Sequence, residues 1–159
     1  MTPLEILDLA GRIERKIADI YNLFRKEFSA DEEASAFWEA LVNEEETHAG
    51  FIDAEIRMLR LKPEIFGCAR VDGGILKDTL KEMTAMEENL LEGGFDMGAA
   101  LSMAIKIETE LVEKRYNRLV EICDPQLKRI FNHLTKSDNH VEKVVKMAKR
   151  FGVKTAGST

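Results

Sequence analysis

Cysteine is scarce in this chain: 159 residues hold two, Cys68 and Cys123, and neither has a second cysteine close by in sequence. That excludes a CxxC knuckle, a disulfide framework and a cysteine-based metal site, and leaves both as buried or idle thiols. Proline and glycine are also few, three and ten, too few for a chain cut into many short strands and turns, so long helices are expected. No run approaches the roughly 20 uninterrupted apolar residues of a membrane span. The segment from Leu4 onward reads as charged and amphipathic rather than as a signal peptide, so a cytoplasmic protein with no membrane partner is expected. A basic excess is lacking too. Asp and Glu number 29 against 23 Lys and Arg, a formal net charge of −6, which argues against a nucleic-acid partner because such binding needs a basic footprint.

What is present is a chain with 45% hydrophobic and 33% charged residues, long enough for one domain with a real core. Apolar residues Ile6, Leu9, Ala10, Ile13, Ile17, Ile20, Tyr21 and Phe24 recur at three- and four-residue spacing, which predicts one amphipathic helix from Leu4 to about Phe28. Ser29 and Asp31 offer capping side chains for a second helix. It runs to about Leu61 through Phe37, Trp38, Leu41, His48, Ile52 and Leu59, and Pro63 stops it. Residues 62–74 read as a connection. A shorter helix is expected from Ile75 to Leu91, with Leu76, Leu80, Met83, Leu90 and Leu91 as its apolar positions and Gly93 and Gly94 at its end. A third long helix spans about Asp96 to Cys123. Asp124 followed by Pro125 then opens a fourth, which runs to about Arg150. The expected architecture is all-α: a four-helix bundle over residues 1–151 with one long crossover carrying a short extra helix, followed by a flexible tail at 152–159.

Polar residues interrupt the apolar stripes once per long helix. Glu14 falls among Ala10, Ile13, Ile17 and Tyr21. A lone residue of this kind is commonly a boundary Glu that reaches solvent. In the second helix Glu45 and His48 break the stripe, three residues apart and so about 5–6 Å between Cβ atoms, close enough for both to hold one ion. Glu108 keeps register with Leu101, Ala104, Ile105 and Val112, whereas Glu110 and Glu113 do not. The fourth helix carries His140, and one turn before it stands Ser137, where a Glu would complete a second Glu-x-x-His. Carboxylates and imidazoles on facing helices can hold divalent ions inside a bundle, a placement that would otherwise bury uncompensated charge. The metal-ligand candidates are therefore Glu14, Glu45, His48, Glu108 and His140. Met83, Met86, Met97 and Met103 are more simply core filler. His133 shares a face with Ser137 and His140 but lies about 10 Å along the axis from His140, too far for one shared ion.

These residues carry a family resemblance. Ile13-Glu14 with Tyr21 seven residues on, Phe37-Trp38 leading to Leu41, Glu44-Glu45-Glu46-Thr47-His48-Ala49, and Ala104-Ile105-Lys106-Ile107-Glu108 resemble the ferritin-like superfamily, and within it the rubrerythrin-type domain. The resemblance covers about residues 4–150. It implies a ferritin-like fold and two iron ions held by Glu14, Glu45, His48, Glu108 and His140. It also implies reduction of peroxide or dioxygen, or oxidation of ferrous iron, in defence against oxidative stress, with electrons from a separate donor protein. The chain departs from that pattern in three places: Ser137 replaces the fourth Glu, Leu111 stands where rubrerythrins carry an extra Glu, and there is no rubredoxin segment with its CxxC pairs. Asp138 is the nearest acidic substitute, one position and about 100° off. Two divalent ions bring four positive charges and Glu14, Glu45 and Glu108 supply three negative ones. The alternative is thus a degenerate bundle with one metal or none and a binding or interaction role. A homodimer formed through Ile75 and Leu90 of the crossover helix fits this architecture.

Overall fold

The structure is a computed structural model that describes residues 1–67, 71–120, 124–136 and 139–154. All regular structure among those residues is helical. Helix α1 (Pro3–Glu27) opens with a capping box: the Thr2 hydroxyl accepts from the Glu5 amide while the Glu5 carboxylate accepts from the Thr2 amide. All eight apolar positions picked out by spacing in α1 are buried. Helix α2 (Glu32–Leu61) is capped by Asp31, whose carboxylate accepts from Ala34 N at 2.9 Å. Glu32 and Glu33 follow in the first turn, where the helix dipole favours acids. Pro63–Ile65 forms a single 3₁₀ turn after it. Helices α1 and α2 pack along their length, with Trp38 among Tyr21, Phe24 and Phe37 at ring-centroid distances of 5.7, 4.8 and 4.9 Å.

Helix α3 (Gly74–Gly93) lies against α1. It ends at Gly94, whose φ of +68° suits a residue without a Cβ. Leu76, Met83 and Leu90 are buried there, but Leu91 is 67% exposed, contrary to its expected place on the apolar stripe. The burial of Leu90 also removes it from the outward surface on which dimerisation was expected, and Ile75 is half-buried.

The third long helix is present but not uniform. Helix α4 (Met97–Lys106), capped by the Asp96 carboxylate at Ala99 N, runs into a π-helical segment, Ile107–Glu113, and continues as α5 (Lys114–Val120). Cys68 and Cys123 lie outside the described residues. Asp124 does cap the next helix, accepting from Gln126 N and Leu127 N at 2.9 Å each, and Pro125 is its first residue.

The expected single helix to Arg150 is instead two, α6 (Pro125–Lys136) and α7 (His140–Arg150). Asn139, which precedes α7, has non-helical dihedrals (φ −80°, ψ 54°). Ser137 and Asp138 lie outside the described residues. α4 packs on α7, and α5 on α6. Gly152 has φ +67°, Val153 N donates to Ala148 O at 2.9 Å, and Val153 packs on the core.

Candidate metal centre

Three helical segments and the first residue of a fourth each deliver part of one buried cluster. Glu14 (α1), Glu45 and His48 (α2), Glu108 (π segment) and His140 (α7) are between 1% and 6% exposed, so the boundary placement open to Glu14 does not occur. They form two triads, Glu14/Glu45/His48 and Glu45/Glu108/His140, within each of which ligand atoms lie no more than 4.8 Å apart. Glu45 belongs to both. Its Oε2 lies 3.3 Å from His48 Nδ1, and its Oε1 lies 2.9 Å from His140 Nδ1. The two imidazoles face each other at a centroid distance of 5.3 Å.

Each outer carboxylate is held by a tyrosine from the opposite half of the chain. Tyr116 Oη donates to Glu14 Oε1 at 2.6 Å, which leaves Glu14 Oε2 turned to His48 Nδ1 at 3.3 Å. Tyr21 Oη donates to Glu108 Oε1 at 2.5 Å, which leaves Glu108 Oε2 turned to His140 Nδ1 at 3.5 Å. One oxygen of each carboxylate is thus fixed by a neutral donor while the other points into the cluster. The rings that fix it are themselves packed: Tyr21 on Trp38, and Tyr116 on Phe131 at 4.9 Å.

The electrostatics follow from burying three carboxylates with two imidazoles. Burial raises the Glu14 carboxyl, and the neighbouring Glu45 charge adds to this while His48 opposes it; the result is about 7. For His48, burial works against protonation but is outweighed by hydrogen bonds to Glu14 and Glu45 and by their charges, so its pKa rises to about 11. The same balance, with Glu108 and Glu45 outweighing burial, takes His140 to about 10. Both tyrosines are pushed well above their ordinary value, by burial first and then by the carboxylates they face. At neutral pH the metal-free cluster is therefore held by two imidazolium ions. No Lys or Arg among the described residues pairs with Glu14, Glu45 or Glu108.

Two residues join the cluster that sequence reasoning did not select. Glu44, within reach of His48 by helical spacing, instead turns to His140: its Oε2 lies 2.8 Å from His140 Nε2, and its Oε1 accepts from Lys143 Nζ at 2.5 Å. Glu44 Oε2 accepts no hydrogen bond among the described residues, so its contact with the far nitrogen of His140 is an ion pair. Tyr116 is the other. It stands eight residues after Glu108, and the π segment between them takes up the extra residue. The seven-residue Glu14–Tyr21 spacing was the sequence signal that could have pointed to it. His133 is exposed and packs on Phe51 at 4.4 Å, outside the cluster, and Leu111 is buried in the core.

The chemistry of the donor set is compatible with a metal ion. It is all carboxylate and imidazole, without thiolate. Glu45 Oε1 is buried 2.9 Å from His140 Nδ1 and has no hydrogen-bond partner among the described residues. These buried clusters could hold a metal ion. No protein-family model, curated protein or solved structure matches this chain.

Proposed function

We propose that the protein is a rubrerythrin-like non-haem iron protein of ferritin-like four-helix-bundle architecture, an oxidoreductase acting on peroxide or dioxygen with electrons from a separate donor protein. The observation that carries this reading is the sharing of Glu45 between two mirrored triads, each with its own outer Glu and its own His Nδ1. That arrangement calls for two ions side by side rather than one. Glu14 and His48 would hold one ion and Glu108 and His140 the other, with Glu45 able to offer one oxygen to each triad.

When bound, such a pair supplies Lewis acidity and one-electron redox steps that side chains lack. The chain's own residues do the rest. Tyr21 and Tyr116 keep the outer carboxylates from rotating away from the cluster. Glu44 pairs with the far nitrogen of His140. His48 and His140 give up the protons they carry in the metal-free state, and the closely packed rings of Trp38, Phe24 and Phe131 keep bulk water from the tyrosine side.

A second reading, one ion or none, is supported by the charge count: the three carboxylates Glu14, Glu45 and Glu108 offset only three of the four charges that two divalent ions bring. Metal analysis of protein purified without chelator, with anomalous diffraction to place each ion, separates the two. Two ions flanking Glu45, together with peroxide consumption by the reduced iron-loaded protein, are expected. One ion per chain supports the second reading, and no metal after anaerobic iron loading overturns the first.

A further inference from the structure

The π segment does more than realign Tyr116. In an α-helix a residue five positions on lies about 140° around the axis, so Glu113 would point well away from Glu108. A π-helical turn closes between i and i+5, which brings Glu108 and Glu113 to the same side. Both line a narrow cleft of about 30 Å³ between the π segment, the end of α6 and the start of α7, room for about one water molecule. Buried Glu108 and His140 stand at its base, Val112, Leu134 and Val141 flank it, and Glu113 is exposed. No Lys or Arg lines it among the described residues.

The groove on the other side of His140 differs in sign. It lies between α2 and α7 and holds about 320 Å³; its charged lining is Glu33, Glu44, Lys143, Lys146 and Arg150, with Lys143 paired to Glu44 and Arg150 to Glu33. Three bases against two acids leave the groove net positive, whereas Glu108 and Glu113 against the imidazolium of His140 leave the described lining of the cleft net negative, the sign that favours a cation.

We propose that Glu113 is the receiving carboxylate for divalent cations, and that the cleft beneath it is their approach to the buried triads. This rests on the metal-binding reading above. A cleft with room for one water cannot pass a fully hydrated ion, so the ion must exchange water for protein oxygens as it moves. Glu113 and then Glu108 are two such carboxylates in sequence along the path.

The test is stopped-flow uptake of Co(II) by the metal-free full-length protein, followed by the visible absorption of the bound ion. Glu113→Gln should slow uptake about fivefold and Glu113→Lys about tenfold or more, the scale that one unit charge gives near a divalent ion in water-exposed surroundings. Raising ionic strength should shrink both differences. Final stoichiometry and final spectrum should match the wild type. Glu110→Gln, an exposed acid of the same segment that does not line the cleft, and Lys146→Gln in the other groove should leave the rate unchanged. Unchanged uptake in Glu113→Lys, or faster uptake in Lys146→Gln, overturns the assigned approach and leaves metal binding intact. A lowered stoichiometry or altered spectrum in Glu113→Gln makes Glu113 a ligand and also overturns the proposal. Wild-type protein that takes up no Co(II) overturns both readings.

Discussion

Replacing Glu45 by Gln separates the metal centre from the fold that carries it. In the metal-free protein each histidine keeps another carboxylate, His48 through Glu14 at 3.3 Å and His140 through Glu44 at 2.8 Å. The substitution also relieves the charge of Glu45 on Glu14. The metal-free stability should therefore change by no more than about 1–2 kcal/mol. With metal the situation reverses. Glu45 serves both triads, and a unit charge about 4 Å away contributes about 4 kcal/mol at the effective dielectric of a protein site. Affinity should fall on the order of 10²–10³-fold. An ion present at 100 times its Kd stabilises the fold by about 2.7 kcal/mol. Two such ions give about 5 kcal/mol, roughly a 10–20 °C rise in Tm for a domain of this size. Differential scanning fluorimetry with and without Fe(II) or Co(II), under argon, reads this directly. The wild type should show the full rise, Glu14→Gln about half, and Glu45→Gln almost none at the same metal concentration. An equal metal-induced rise in Glu45→Gln and wild type would refute the shared-carboxylate argument.

Three further outcomes follow from the same geometry. Metal uptake should release protons: with His48 at about 11 and His140 at about 10, both are charged at pH 7, and each must deprotonate to ligate. Affinity should therefore climb with pH from neutrality until about pH 10. Conversely, the stability that the raised imidazole pKa values contribute to the metal-free protein, fully present below the ordinary imidazole pKa near 6.5, should be lost as pH passes 10–11; calorimetry in buffers of different ionisation enthalpy measures the proton count. Tyr21→Phe and Tyr116→Phe each remove the donor to a buried carboxylate and should each destabilise the metal-free protein by about 1.5–3 kcal/mol in urea titration. Near-zero cost in both would mean that the phenols do not position Glu14 and Glu108. Glu44→Gln should weaken the ion at Glu108/His140 about 10–100-fold and spare the ion at Glu14/His48, a difference visible as a split in two-site Co(II) titration curves.

How much of this was legible beforehand differs from element to element. The stripe of α1 was readable residue by residue because a helix with one buried face repeats its apolar positions every three or four residues, and the capping chemistry of Asp31 and of Asp124-Pro125 is local to a few positions. Glu14, Glu45, His48, Glu108 and His140 stood out for the same reason, as polar residues on apolar faces, and the fold places all five in one cluster. Ser137, which the sequence makes the missing fourth carboxylate, lies outside the described residues. Leu90 and Leu91 were not separable by spacing, since adjacent residues differ by only 100° and the neighbouring helix decides which one turns inward.

Composition and periodicity alone thus determined a helical chain, its main helix starts and the polar residues that face inward, because each depends on contacts within one or two turns. Tertiary structure decided the rest. The insertion of one residue's worth of π-helix at Ile107–Glu113, the break at Asn139, the crossing of Tyr21 to Glu108 and Tyr116 to Glu14, and the turn of Glu44 from His48 to His140 all depend on which helix lies opposite. Long-range packing sets that, and hydrophobic spacing along a single helix carries no record of it.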